Sequence, residues 1–149
     1  MAFLNCTFYS EVLQKSVQFN AIIPQGKEQN ARVLYLLHGL TDDYTAWSRY
    51  TAIERYANDT GIVIIMPDGG KSFYTDMAHG GAYYSFFIKE LFPYVRTLFR
   101  VSERREDTFI AGLSMGGYAT WELLQNYSHV FAAGVPVCGF GNEMNAATL

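Results

Sequence analysis

The chain has 149 residues, of which 50% are hydrophobic and 17% are charged. This length favours one domain, over residues 1–149, with a hydrophobic core of its own. The formal net charge of −3 excludes a protein that binds nucleic acid through a strongly basic surface. The sequence contains no run of about 18 apolar residues and no signal peptide at its start. These features predict a cytoplasmic protein without a membrane span.

Alternating or continuous apolar segments predict six strands. In chain order they cover residues 6–10, 16–23, 33–37, 62–66, 108–111 and 131–137. The first two are joined by too few residues for a crossover, and we expect them to form an antiparallel hairpin. The later segments are mostly continuous apolar runs, which are typical of parallel strands covered on both faces.

Segments with apolar residues at helical spacing lie between the later strands. They cover residues 47–58, 83–99 and 114–126, and Pro93 is expected to bend the second helix or to mark a boundary in it. Strands that alternate with helices indicate an α/β fold with a mostly parallel sheet. The sequence therefore predicts an α/β sandwich.

The segment Gly112-Leu113-Ser114-Met115-Gly116 has the G-x-S-x-G pattern of a nucleophile elbow. It follows a predicted strand and opens a predicted helix, which is the context that this pattern requires. The serine of an elbow lies on a strained turn, and glycines two residues before and after it avoid a clash. The alternative is a glycine-rich turn whose serine only caps the helix. We predict that Ser114 is the nucleophile and that Gly112, Gly116 and Gly117 shape the turn.

A second turn, His38-Gly39-Leu40-Thr41, follows the predicted strand 33–37. In hydrolases with an elbow, the loop after an early strand supplies one oxyanion N–H group, and the residue after the serine supplies the other. The predicted donors are the backbone amides of Leu40 and Met115, with Gly39 as the glycine of the turn. His38 precedes the turn and is expected to be structural rather than the general base.

Further segments accompany these two turns: Asp42-Asp43-Tyr44 with Trp47, Met66-Pro67-Asp68-Gly69-Gly70, and Phe73-Tyr74-Thr75-Asp76. Together with the elbow they resemble the esterase D branch of the α/β-hydrolases, which includes tributyrin esterases, feruloyl esterases and S-formylglutathione hydrolases. The Tyr-Thr-Asp segment and the extended elbow resemble those of the tributyrin esterases. Bacterial mycolyltransferases share the Asp-Asp-Tyr and Trp pattern and the Ser-Met-Gly-Gly elbow.

The resemblance implies an α/β-hydrolase three-layer sandwich and a serine carboxylesterase. Such an enzyme cleaves short-chain acyl esters through an acyl-serine at Ser114, acts on a small-molecule ester, and needs no cofactor and no metal. His38, Trp47 and Tyr74 become candidates for the acyl pocket, although a place in the core is at least equally expected for Trp47 and Tyr74.

The resemblance also implies an acid and a histidine after the serine. Beyond Ser114 the sequence has one histidine, His129, and two acids, Glu122 and Glu143. Glu122 lies about 12 Å further along the predicted helix, at 1.5 Å per residue, and His129 is expected in a surface loop. We therefore expect the acid and the histidine beyond this chain, which would be the N-terminal part of a hydrolase without its last strands.

Three alternatives remain open from the sequence. An acyltransferase of the same superfamily would use an alcohol instead of water as the acceptor. A truncated remnant would fold and bind partners without turnover, and its exposed sheet edge would favour self-association. A second chain or a second copy, in an oligomer, could also complete the fold.

Overall fold

The computed structural model describes residues 1–26 and 30–138, so Glu143 lies outside the described residues. The described part forms one sheet whose strands are β1 (Ala2–Ser10), β2 (Lys15–Ile23), β3 (Val33–Leu37), β4 (Val63–Pro67), β5 (Thr108–Leu113) and β6 (Ala133–Val137). The strand order is β1-β2-β4-β3-β5-β6. Strands β3 to β6 are parallel, whereas β1 and β2 form an antiparallel hairpin that joins β4 in antiparallel sense. The predicted mostly parallel sheet is confirmed.

Helices cover both faces of this sheet. They are α1 (Ala46–Tyr50), α2 (Ile53–Thr60), α3 (Tyr83–Phe86), α4 (Phe92–Phe99) and α5 (Met115–Asn126). Because successive side chains of a strand point to opposite faces, Tyr35 of β3 packs in one cluster with residues of α3, α4 and α5. Its neighbours Leu34 and Leu36 pack in a second cluster with residues of α1 and α2. The sheet thus forms the middle layer of the predicted sandwich. Among the described helices, none has the length and apolar character needed to cross a membrane.

The prediction of a single helix over residues 47–58 is wrong, because the helix is interrupted at Thr51. The Thr51 hydroxyl donates to the Trp47 carbonyl oxygen and accepts the Ile53 N–H at 3.2 Å. The Thr51 backbone is extended, with φ −135° and ψ 171°. A threonine side chain that bonds nearby backbone groups in this way competes with helical hydrogen bonds. The result is two short helices, α1 and α2, on either side of Thr51.

The helix predicted over residues 83–99 is present but changes pitch before Pro93. A π-helical turn, Phe87–Leu91, connects α3 to α4, and the Phe92 N–H donates to the Phe87 carbonyl five residues earlier. Pro93 then stands in the first turn of α4, directly after this π-helical turn. The predicted boundary at Pro93 is therefore the start of α4.

Candidate active site

The elbow lies where β5 ends and α5 begins. Ser114 has φ +53° and ψ −108°, a strained conformation that L-residues adopt only when their surroundings enforce it. Its N–H donates to the Val137 carbonyl at 2.9 Å, and its carbonyl accepts the Tyr118 N–H at 3.0 Å. Strand β6 and the first turn of α5 therefore hold the backbone of the serine from both sides.

Two glycines of the elbow occupy positions with no room for a side chain. A Cβ on Gly112 would lie 2.3 Å from the Gly116 carbonyl carbon, and a Cβ on Gly116 would lie 2.6 Å from the Leu37 carbonyl oxygen. Helix α5 therefore begins in direct contact with β5 and with the end of β3. Gly117 is buried in the same first turn.

The turn after β3 lies beside the elbow. A Cβ on Gly39 would lie 3.9 Å from the Cβ of Ser114, and the turn is closed by the Asp42 N–H, which donates to the Gly39 carbonyl at 3.2 Å. The Leu40 N–H donates to no group within residues 1–26 and 30–138. Met115 is the first residue of α5, where the N–H groups lack helical acceptors and the helix dipole is positive. The Leu40 and Met115 amides therefore stay predicted donors to a negative oxygen at Ser114.

His38 is buried, with 1% of its surface exposed, and both of its ring nitrogens are engaged. Nδ1 lies 2.7 Å from the Gly39 carbonyl oxygen, so it must carry the proton, whereas Nε2 accepts the Gly69 N–H at 2.9 Å. Asp68 Oδ1 is 3.4 Å from Nε2, but a nitrogen that accepts from Gly69 has no proton to donate to it. Both ring nitrogens of His38 are thus hydrogen-bonded to backbone groups of the surrounding loops.

Tyr74 lies in the core, which is one of the two places expected for it. Its side chain is 2% exposed, and its hydroxyl accepts the His38 backbone N–H at 3.1 Å. The Tyr74 ring fills the space next to Gly69, where a Cβ would lie 2.3 Å from it. Burial raises the pKa of Tyr74 well above its ordinary value, so the hydroxyl stays protonated. In the structure, the Tyr74 hydroxyl provides the hydrogen-bond acceptor for the backbone N–H of His38, just before the Gly39 turn.

Tyr74→Phe is expected to lower the free energy of unfolding by about 1–3 kcal/mol, because the buried His38 N–H loses its acceptor. Denaturant unfolding measures this change. Tyr50→Phe is the matched control, since Tyr50 is 72% exposed and the loss of its hydroxyl should change stability by less than about 0.5 kcal/mol. Equal effects of the two substitutions would contradict the assigned hydrogen bond.

A small cavity of about 80 Å³ lies against the Gly39 turn and the end of β5. Its walls include Leu113, Tyr50 and Trp47, and the buried ring of His38 also borders it. The Trp47 indole N–H donates to the Leu37 carbonyl at 3.1 Å, and the ring packs against the cluster on the α1–α2 face. Trp47 therefore contributes both to the core and to the wall of a cavity beside the elbow.

His129 and Glu122, the histidine and the acid after the elbow within the described residues, lie further along or beyond α5. His129 is exposed and follows the end of α5, a helix of 12 residues and hence about 18 Å long. Glu122 lies in the third turn of α5, where one carboxylate oxygen is buried and has no hydrogen-bond partner among the described residues. Burial, and to a lesser degree Asp76, raises the pKa of this carboxyl. In the described part of the chain, no histidine hydrogen-bonds the Ser114 hydroxyl.

The described residues also lack a candidate metal-binding site. Among the described residues, no group of three or more His, Cys, Asp or Glu side chains could hold a metal ion.

The loop that follows β4 contributes contacts that the sequence did not reveal. The Ser72 hydroxyl donates to the Gly69 carbonyl at 2.6 Å and accepts the Tyr74 N–H at 2.9 Å. This loop places Gly69 and Tyr74 within hydrogen-bond distance of His38. The available signal was the Gly69-Gly70 pair directly after a buried strand, because adjacent glycines mark a close backbone approach.

A mixed sheet with helices on both faces and a strained serine between strand and helix defines the chain as an α/β-hydrolase. The chain matches the family described as "Putative esterase" over residues 10–137, and it belongs to this family. It is 34% identical, over 129 residues, to an acetyl esterase of Caldicellulosiruptor saccharolyticus, covering 79% of this chain and 48% of that protein. The chain thus spans about half the length of this curated relative.

Solved structures give the same result. FphF, a fluorophosphonate-binding serine hydrolase of Staphylococcus aureus, superposes with a TM-score of 0.90 at 34% identity, covering 97% of this chain and 62% of FphF. The S-formylglutathione hydrolase FrmB of the same species superposes with a TM-score of 0.85 at 36% identity, covering 93% of this chain and 57% of FrmB. The predicted resemblance and fold class are therefore confirmed.

Proposed function

We propose that the protein is a carboxylesterase in which Ser114 is the nucleophile. The observation that carries this proposal is the position of Ser114, on a strained turn beside the two amides of Leu40 and Met115. The names of the relatives support it, since one is an acetyl esterase and another is a fluorophosphonate-binding serine hydrolase.

In the proposed reaction, Ser114 Oγ attacks the carbonyl carbon of the ester and gives up its proton to a base. The carbonyl oxygen becomes negative and accepts hydrogen bonds from the Leu40 and Met115 N–H groups. The tetrahedral intermediate expels the protonated alcohol and leaves an acyl-serine, which water then hydrolyses. Each oxyanion donor of this kind contributes about 10²–10³ to kcat.

The proposal includes a histidine and an acid from outside this chain, as the sequence predicts. Its support is that the ring nitrogens of His38 are both engaged and that His129 lies beyond the far end of α5. A base must come within hydrogen-bond reach of the proton that it removes. Among the described residues, no hydrogen bond joins His38, His79 or His129 to the Ser114 hydroxyl.

The proposed substrates are esters of short acyl chains. The cavity beside the Gly39 turn has a volume of about 80 Å³, which suits a chain of a few carbon atoms, and Trp47 closes it with a bulky ring. Turnover of p-nitrophenyl esters of increasing chain length tests this point. Acetate and butyrate esters should be preferred, and Trp47→Ala should move the preference to longer chains. An unchanged preference in this variant would place the acyl group elsewhere.

A fluorophosphonate probe tests the nucleophile itself, in the protein as expressed from its own gene. Mass spectrometry of the labelled protein should locate the probe on Ser114. Ser128→Ala is the control, since Ser128 is an exposed serine beyond α5 and its replacement should leave labelling intact. Labelling at another residue would contradict the assignment.

An acyltransferase is the second candidate, and one comparison favours it. Over 50 residues, which are 32% of this chain, the sequence is 44% identical to a diacylglycerol acyltransferase/mycolyltransferase of Mycobacterium gordonae. Product analysis in the presence of a competing alcohol distinguishes the two. We expect the free acid as the main product, whereas a dominant new ester would identify a transferase.

A further inference from the structure

We propose that His38 is a positioning residue, which orients the peptide unit between Gly39 and Leu40 so that the Leu40 N–H faces Ser114. The inference rests on the proposed function, because it concerns one of the two proposed oxyanion donors. It assigns a specific task to a histidine that the sequence indicates as structural or as a candidate for the acyl pocket.

The Gly39 carbonyl oxygen is held by two donors. It accepts the Nδ1–H of His38 at 2.7 Å and the Asp42 N–H at 3.2 Å. No described peptide bond is cis, and in a trans peptide the carbonyl and the N–H point to opposite sides of one rigid plane. Fixing the Gly39 oxygen toward the buried imidazole therefore directs the Leu40 N–H away from it. The elbow lies beside the same turn, with 3.9 Å between a Cβ on Gly39 and the Cβ of Ser114.

The imidazole is itself fixed from the opposite side. Gly69 donates its N–H to Nε2 at 2.9 Å, and the Tyr74 hydroxyl accepts the His38 backbone N–H at 3.1 Å. Gly69 can come this close because it has no side chain, since a Cβ there would lie 2.3 Å from the Tyr74 ring. A continuous chain of hydrogen bonds thus runs from the loop after β4, through His38, to the oxyanion peptide.

These hydrogen bonds affect the polarity of the Leu40 amide as well as its orientation. A donor on a peptide carbonyl polarises the whole amide, and hydrogen bonds in series strengthen one another in a buried environment. The Leu40 N–H is therefore both aimed and made a better donor by His38. A histidine that merely filled the core would need no particular tautomer, whereas this arrangement requires the proton on Nδ1.

The tautomer can be measured without any substrate. In ¹⁵N NMR spectra of the labelled protein, the His38 ring should show a protonated Nδ1 and an unprotonated Nε2. A proton on Nε2 alone would overturn the inference, because Nδ1 could not then donate to Gly39. This readout does not depend on ester hydrolysis.

A pair of substitutions separates the two hydrogen bonds of the ring. In His38→Asn the side-chain amide N–H can take the place of Nδ1–H and keep the donor to Gly39. In His38→Gln the side-chain oxygen can take the place of Nε2 and keep the acceptor for Gly69, while the donor to Gly39 is lost. We expect His38→Gln to lower kcat about 10²-fold, the loss of one oxyanion donor, with KM unchanged. His38→Asn should retain most of kcat.

Thermal unfolding of both variants provides the comparison for a purely structural role. If kcat follows the unfolding temperature, or if the two variants lose kcat equally, His38 does not position the peptide. A wild-type protein that hydrolyses no ester would refute the proposed function and, with it, the catalytic part of this inference. The NMR tautomer would then still report whether the hydrogen bond to Gly39 exists.

Discussion

Ser114→Ala, made in the protein that includes the proposed histidine and acid, should lower kcat for ester hydrolysis by about 10⁶-fold, the effect of removing the nucleophile from a serine hydrolase. The change deletes only the Oγ atom that would attack the ester carbonyl. The Leu40 and Met115 amides stay in place, so the substrate should still bind and KM should change little. Steady-state kinetics with a p-nitrophenyl acetate substrate measures both constants.

The fold should survive this substitution, which makes the result specific to the chemistry. Alanine experiences the same backbone strain as serine at φ +53°, and the backbone hydrogen bonds to Val137 and Tyr118 need no side chain. Circular dichroism and the unfolding temperature should match those of the wild type. Ser128→Ala serves as the control with full activity. A Ser114→Ala protein that keeps wild-type turnover would show that another residue is the nucleophile.

The elbow could be predicted from the sequence because its requirements are local. A strand, a turn and a helix follow one another within about 20 residues, and each leaves a pattern in consecutive positions. The hairpin of β1 and β2 and the continuous apolar runs of β3 and β4 were predictable for the same reason.

The hydrogen bonds that hold His38 in place beside the Gly39 turn could not be predicted, because they join residues that are far apart in the sequence. Gly69 is 31 residues from His38 and Tyr74 is 36 residues from it, and no periodicity connects a histidine with an amide and a hydroxyl at such separations. This explains why Tyr74 was expected in a pocket as readily as in the core. The break at Thr51 was missed for a different reason, since a single hydroxyl interrupts an otherwise helical pattern.

Gly116→Ala should lower the free energy of unfolding by about 3 kcal/mol, at the upper end of the range for overpacked positions. The added Cβ would lie 2.6 Å from the Leu37 carbonyl oxygen and 2.8 Å from that of His38. Both are backbone atoms of β3 or its end, so neither can rotate away as a flexible side chain could. Gly112→Ala should cost as much, since its Cβ would lie 2.3 Å from the Gly116 backbone.

The sign of the change in the free energy of unfolding of Gly116→Ala shows which of two effects dominates. Close contacts of the added Cβ would lower this free energy, whereas the higher helix propensity of alanine would raise it. Alanine in a helix interior is favoured over glycine by about 1 kcal/mol, so a Gly116 without these contacts would become more stable on substitution. Gly26→Ala is the control for backbone strain, because Gly26 has φ +74° and, among the described residues other than its chain neighbours, no atom lies within 4 Å of its Cβ position. It should cost only about 1–2 kcal/mol, the penalty of a left-handed L-residue. Denaturant unfolding of the three variants orders these effects, and a stabilised Gly116→Ala protein would show that α5 does not begin in contact with β3.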